Sequence, residues 1–246
     1  MIRIMALGIL LMITSCRESA TDKKNEEQPG AELLSADSMA VASREPENIK
    51  LKSLDSVGDT TFVRLADYSR DFSYDLRYAT EDNFMKTKVY DCAECYTRAK
   101  TAKALLQANE ELMEKGYRIR FFDCYRPRSV QYLLWKIVPN PQYVANPEKG
   151  SIHNRGGAVD ITLESLDGEV VDMGTDFDYF GKKAYHDNTD LPQQVLENRL
   201  LLKETMEKYG FWSIRTEWWH YNLGTASSYR LADFKWDCNQ QSKPKD

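Results

Sequence analysis

The sequence predicts an α+β fold, a central antiparallel sheet with helices packed against it. Three observations predict this. Strand-like and helix-like segments are mixed without the regular β–α–β alternation of a parallel sheet. The strand-like segments are short, and several are rich in aromatic or β-branched residues. Two long segments carry apolar residues at helical spacing and run into a glycine.

The first sixteen residues, MIRIMALGILLMITSC, stand apart from the fold. One Arg precedes an apolar run from Ile4 to Ile13, and small residues lead into Cys16, the pattern of a signal peptide. The apolar run is shorter than the roughly 20 residues that a bilayer-spanning helix needs. Ile13-Thr14-Ser15-Cys16 resembles a bacterial lipobox. That resemblance implies lipidation of Cys16 and an exported protein held at a membrane by its lipid alone, on the periplasmic or cell-surface side. An ordinary cleaved signal with an incidental Cys is the alternative. Residues 17–59 are poor in aromatics and rich in Glu, Lys, Ser, Ala and Asp, so they read as a disordered tether. The folded domain is expected over residues 60–237, with 238–246 as a tail.

Within the domain, Thr61–Ala66 and Phe72–Tyr78 read as short extended segments. Thr97–Lys115 spaces Ala99, Ala102, Leu105, Leu106, Ala108 and Leu112 as a helix does, and Gly116 can end it. Tyr117–Cys124 alternates like a strand. Arg128–Val138 is a second, shorter helix that stops at Pro139. Gly157–Leu163 is strand-like, with Val159 and Ile161 on one face and Ala158 and Asp160 on the other. Asp190–Tyr209 is a long amphipathic helix that starts at Leu191-Pro192 and ends at Gly210. Glu217–Leu223 is an aromatic strand. The net charge of −5 and the absence of a basic stripe exclude the phosphate backbone of nucleic acid as a natural partner.

Only three histidines are present, and two of them sit beside carboxylates in informative settings. His153 and Asp160 flank Gly156-Gly157, which let the chain turn so that both face one point. Glu217 precedes His220 by three residues. Two imidazoles, one carboxylate and an open fourth position form a standard arrangement for catalytic zinc. The spare carboxylate of Glu217 then serves as general base. In a plain strand Glu217 and His220 would face opposite sides, so a turn or bulge is required between them.

The pattern SxHxxGxAxD, carried by Ser151, His153, Gly156, Ala158 and Asp160, followed by ExWH at Glu217, Trp219 and His220, resembles the zinc D-Ala-D-Ala peptidase family. Asp123-Cys124-Tyr125-Arg126-Pro127 is similar to the DGYRP of its dipeptidase branch, the vancomycin-resistance D-Ala-D-Ala dipeptidases. Tyr78-Ala79-Thr80, Asn83-Phe84, Met173-Gly174, Phe177-Asp178 and Asn198-Arg199 also look like that branch. The likeness runs from about Leu65 to Leu223. It implies a hedgehog/D,D-peptidase-like fold, one zinc ion per chain on His153, Asp160 and His220, and Glu217 as base and then acid. It also implies that Arg126 stabilises the tetrahedral oxyanion, that Tyr78 and Asp178 bind the substrate ammonium, and that Ser151 helps to hold substrate. The implied substrate is a small D,D-dipeptide. The same zinc site would also serve a D,D-carboxypeptidase or endopeptidase on peptidoglycan stem peptides, or survive in a non-catalytic zinc-binding protein. Taken without the resemblance, Arg126 reads as a surface arginine stacked on Tyr125, and Asp178 as an exposed loop residue. The sequence departs from the motif at Cys124, which stands where the branch has Gly.

Cys92, Cys95, Cys124 and Cys238 can form two disulfides in three connectivities. Cys92-x-x-Cys95 has no second CxxC and no nearby His, which disfavours a structural zinc site. Buried free thiols or a single disulfide are the expectation. His186 has no partner motif and reads as a surface or loop residue.

Overall fold

The computed structural model describes residues 50–238. The leader with Cys16, and the tether up to residue 49, lie outside the described residues. Phe62–Arg64 (β1) pairs antiparallel with Tyr96–Arg98 (β3) in a two-stranded ribbon. The main sheet is built from Ser73–Tyr74 (β2), Tyr117–Asp123 (β4), Ala158–Ser165 (β5), Phe211–Ile214 (β6) and Glu217–Leu223 (β7). Its strand order is β2-β4-β5-β7-β6. Three α-helices occur among the described residues: Ala99–Glu114 (α1), Arg128–Ile137 (α2) and Gln193–Lys208 (α3).

The α+β class is as predicted, but the sheet is mixed. β2 runs parallel to β4, whereas the other pairs are antiparallel. The connection from β2 to β4 passes through β3 and α1, and a helical crossover of this kind returns the chain in its original direction. The sequence pattern also missed β3, whose residues it assigned partly to α1, and β6, which is only four residues long.

Helical spacing puts Ala102, Leu105 and Leu112 on one stripe of α1, all fully buried. They join Ile119 and Phe121 of β4, Val159, Ile161 and Leu163 of β5, and Leu202 and Met206 of α3 in one apolar core. Asn109 Oδ1 accepts the Ile119 N–H at 2.7 Å and so ties α1 to the start of β4. β5 lies between β4 and β7 and is buried from Ala158 to Glu164. Its period of two sends Val159, Ile161 and Leu163 into the core and turns Asp160 to the other face.

The packed domain is longer than expected at both ends. Leu54 is buried, and the Lys52 N–H donates to the Asp67 carbonyl at 2.8 Å, so the last residues assigned to the tether pack on the domain. Leu54 and Val57 are apolar anchors in an otherwise polar stretch. Cys238, assigned to the tail, is bonded to Cys92, and Cys95 is bonded to Cys124. Two bridges therefore replace the expected free thiols or single disulfide. The CxxC segment sends its two sulfurs to different partners, with Cα–Cα distances of 5.8 and 5.4 Å that suit disulfides.

Candidate metal centre and active site

Neighbouring strands line up the acidic and imidazole groups. Asp160 of β5 pairs directly with His220 of β7 and, on the other side, with Asp123 of β4. Cross-strand partners on one face lie about 5 Å apart at Cβ, within reach of a shared ion. His153 arrives from a short 3-10 turn, His153–Arg155, immediately before β5. Gly156 closes that turn at φ 72°, in the left-handed region that suits glycine. Gly157 is required for space, because a Cβ there would lie 2.0 Å from the Ala226 Cβ.

Three donor atoms converge. His153 Nε2 lies 3.2 Å from His220 Nδ1 and 3.3 Å from Asp160 Oδ1, and His220 Nδ1 lies 2.9 Å from Asp160 Oδ1. Tetrahedral zinc with bonds of about 2.0–2.1 Å would separate its ligand atoms by roughly 3.3 Å, so this triangle fits such an ion. The outer nitrogens fix the tautomers. His153 Nδ1–H donates to the Cys124 carbonyl at 2.7 Å, and His220 Nε2–H donates to Asn222 Oδ1 at 3.0 Å. Each ring therefore presents a lone pair to the centre, the outer-sphere pattern of metal-binding histidines. Two lone pairs facing each other at 3.2 Å in a buried site call for a cation between them.

The bulge required by the sequence is present. Ser213 and Ile214 are consecutive in β6, yet their partners in β7 are Tyr221 and Glu217. The extra residues between those partners turn Glu217 to the His220 side, with Oε2 at 4.0 Å from His220 Nδ1. Trp219 lines the same cavity, whereas Trp218 leaves it and donates its indole N–H to Thr175 Oγ1 at 2.8 Å.

Arg126 is buried and braced, not a surface residue. Its Nε and Nη2 donate to Asp123 Oδ2 at 2.9 and 2.8 Å, and Nη1 donates to Gln131 Oε1 at 2.9 Å. Its remaining N–H donors lie at the cavity wall, where Nη2 is 3.5 Å from Asp160 Oδ2. Tyr78 O–H donates to Asp178 Oδ2 at 3.0 Å. Asp178 has φ 60°, a left-handed conformation uncommon outside glycine, on the wall of the cavity. Ser151 also lines the cavity, and its Oγ accepts the His153 N–H at 3.2 Å.

Burial sets the electrostatics. It pushes Glu217 well above the usual carboxylate range; the charge of Asp160 adds to this, and Arg126 opposes it. Burial and then Asp160 likewise push Asp178 up, against Arg126 and the Tyr78 hydrogen bond. Burial also acts to raise Asp160, but without a metal the neighbouring imidazoles of His153 and His220, acting as charged donors, outweigh it and hold this carboxyl well below its ordinary value; a cation in their place would do the same. The cavity, open on one side, has a volume of about 230 Å³, with Phe84, Tyr143 and Phe180 packed ring to ring along its wall. His186 does not line it. This loop histidine packs against Tyr221, and burial holds its imidazole down to about 4.

A profile of the family described as D-Ala-D-Ala dipeptidase matches residues 58–240. The chain belongs to the D-Ala-D-Ala dipeptidase family. Membership places it among the metallopeptidases. A D-alanyl-D-alanine dipeptidase from Escherichia coli is 36% identical over 183 residues, covering 74% of this chain and 95% of the relative. One from Enterococcus faecalis is 32% identical over 183 residues, covering 66% of this chain and 91% of the relative. One from Enterococcus faecium is 34% identical over 171 residues, covering 61% and 85%.

In this member of the D-Ala-D-Ala dipeptidase family, several contributors escaped the sequence reading. Asp123, whose motif by itself points to no role, braces Arg126. Gln131 braces the same guanidinium, and its i,i+5 spacing from Arg126 across a helix start gives no recognisable pattern. Asn222 was detectable, since the H-x-N spacing on a strand puts it on the face of His220.

Proposed function

We propose that this chain hydrolyses D-alanyl-D-alanine to two D-Ala, with zinc held by His153, Asp160 and His220. The observation that carries the proposal is the triangle of donor atoms with Glu217 beside it, in a small cavity that has a second carboxylate, Asp178, on its wall. The charge balance supports it. Arg126 is paired closely with Asp123 and only distantly with Asp160, which leaves the buried carboxyls Asp160 and Glu217 and the half-buried Asp178 short of positive charge. A dication and a substrate ammonium would supply three charges to a site that is costly to leave uncompensated.

His153, Asp160 and His220 would hold the zinc, which would lower the pKa of a bound water toward about 7 and so make hydroxide available at neutral pH. Glu217 takes the proton of the attacking water and delivers it to the leaving amine as the C–N bond breaks. Arg126 donates to the carbonyl oxygen, most strongly as negative charge develops on it, which is differential binding of the transition state. Its bracing by Asp123 and Gln131 holds those donors in place before reaction. Asp178, fixed by Tyr78, takes the free ammonium, and Ser151 helps to hold the substrate beside His153.

A carboxylate on the cavity wall, Asp178, suits a free substrate ammonium, which favours a dipeptide over a stem peptide. Comparing hydrolysis of D-Ala-D-Ala with that of its N-acetyl derivative tests this directly. The expected result is turnover of the free dipeptide and none of the blocked one. Equal turnover would remove Asp178 from ammonium binding and favour a D,D-carboxypeptidase or endopeptidase.

The leader, with its lipobox-like Cys16, supports export and a lipid anchor, so the enzyme would meet D-Ala-D-Ala released from peptidoglycan and serve its recycling. A resistance role requires destruction of the dipeptide in the cytoplasm, which an exported enzyme does not reach. Fractionation of cells making the full chain should place it with the membranes, and a Cys16→Ala variant should leave them. Wild-type protein recovered wholly in the soluble fraction would overturn the anchor.

A further inference from the structure

The one departure from the dipeptidase motif, Cys124, is bonded to Cys95. We propose that the Cys95–Cys124 disulfide is a positioning element for the metal centre and for Arg126, beyond its part in holding the fold together; this rests on the metallopeptidase reading above. Residue 124 is the first beyond β4, where the ladder to β5 no longer fixes the backbone. Yet the site depends on it from two directions. Its carbonyl accepts the Nδ1–H of His153 at 2.7 Å and so aims Nε2 at the centre. Its N–H donates at 2.9 Å to Oδ1 of Asp123, whose other oxygen braces Arg126.

Beyond these bonds and those that tie Arg126 to the His153 turn, two attachments link this segment to the β1–β3 ribbon. The neighbouring Tyr125 N–H donates to the Tyr96 carbonyl at 2.8 Å, and the Cys124 sulfur is joined to Cys95. Cys95 directly precedes β3, and its carbonyl accepts the Leu65 N–H at 2.9 Å. Both cysteines are buried. The bridge thus carries the rigidity of the β1–β3 ribbon to the carbonyl that orients a metal ligand. Where the motif has glycine, that covalent tie is impossible. The second bridge, Cys92–Cys238, clamps the C-terminal segment, where the Cys92 carbonyl accepts the Trp236 indole N–H at 3.2 Å.

The test compares two double variants of the full chain, Cys95→Ala/Cys124→Ala and Cys92→Ala/Cys238→Ala. Cys124 is not among the residues with positive φ, so alanine fits its backbone. Zinc affinity is read by chelator competition without substrate, kcat and KM with D-Ala-D-Ala, and stability by thermal unfolding. Loss of an outer-sphere partner typically weakens metal binding by 10–100-fold. The Cys95/Cys124 variant should therefore bind zinc about 10-fold more weakly and lose kcat more than KM. The Cys92/Cys238 variant should melt lower with its zinc affinity unchanged. Wild-type zinc affinity in a folded Cys95/Cys124 variant would overturn the proposal, as would equal losses in both variants. If the first variant does not fold, the zinc-loaded wild type is treated with a phosphine reductant, and mass spectrometry of alkylated thiols identifies which bridge has opened. Zinc release should follow opening of Cys95–Cys124; retention after that bridge opens would overturn the proposal. Because zinc affinity is read without substrate, failure to cleave D-Ala-D-Ala would sink the substrate assignment and leave this result intact.

Discussion

Replacing Glu217 with Gln is expected to lower kcat for D-Ala-D-Ala by about 10³-fold, within the roughly 10²–10⁴-fold range of general acid–base catalysis. Zinc should stay bound at one ion per chain. Gln keeps the shape and volume of a buried side chain whose Oε2 is 4.0 Å from His220 Nδ1, so the ligand triangle should survive. What is lost is the ability to take a proton from water and pass it to the leaving nitrogen. KM should change little, because the missing interaction acts in the transition state. Steady-state kinetics alongside metal analysis checks both halves. A kcat within ten-fold of wild type would remove Glu217 from the proton transfers.

Arg126→Ala is expected to cost about 10²–10³-fold in kcat, the usual effect of deleting one oxyanion donor. That variant also leaves Asp123 buried without its cation, and breaking a buried pair costs about 3–5 kcal/mol, so some loss of stability will accompany it. Arg126→Lys separates the two effects. It keeps a positive charge near Asp123, but a single ammonium cannot reproduce the contacts to Asp123 Oδ2 and Gln131 Oε1 while presenting further donors to the cavity. Thermal unfolding should therefore recover with Lys while kcat stays depressed. Full recovery of kcat by Lys would mean that charge alone matters, and that the braced guanidinium is not what stabilises the oxyanion.

Much of the centre could be read from the chain because its geometry is local or strictly periodic. Alternation in β5 separated Asp160 from Val159 and Ile161, and two glycines flagged the turn that delivers His153. The bulge that turns Glu217 toward His220 was required by the chemistry, but it could not be located from the sequence. It depends on how β7 pairs with β6, a strand that sequence pattern missed. The same limit hid the disulfides. Cys92 and Cys95 are close in sequence, but their partners lie 146 and 29 residues away, and only the folded ribbon decides which sulfur meets which. Arg126 shows the reverse case. Its residue type suggested a surface arginine and the family likeness suggested a catalytic one; Asp123 and Gln131, which bury and hold it, support the second reading.

Metal analysis of purified, active protein tests the central claim most directly. The account predicts one zinc per chain, loss of both zinc and D-Ala-D-Ala hydrolysis on chelation, recovery of both when zinc is restored, and no zinc in a His153→Ala variant that remains folded. Full hydrolysis by protein that holds no divalent metal would contradict it.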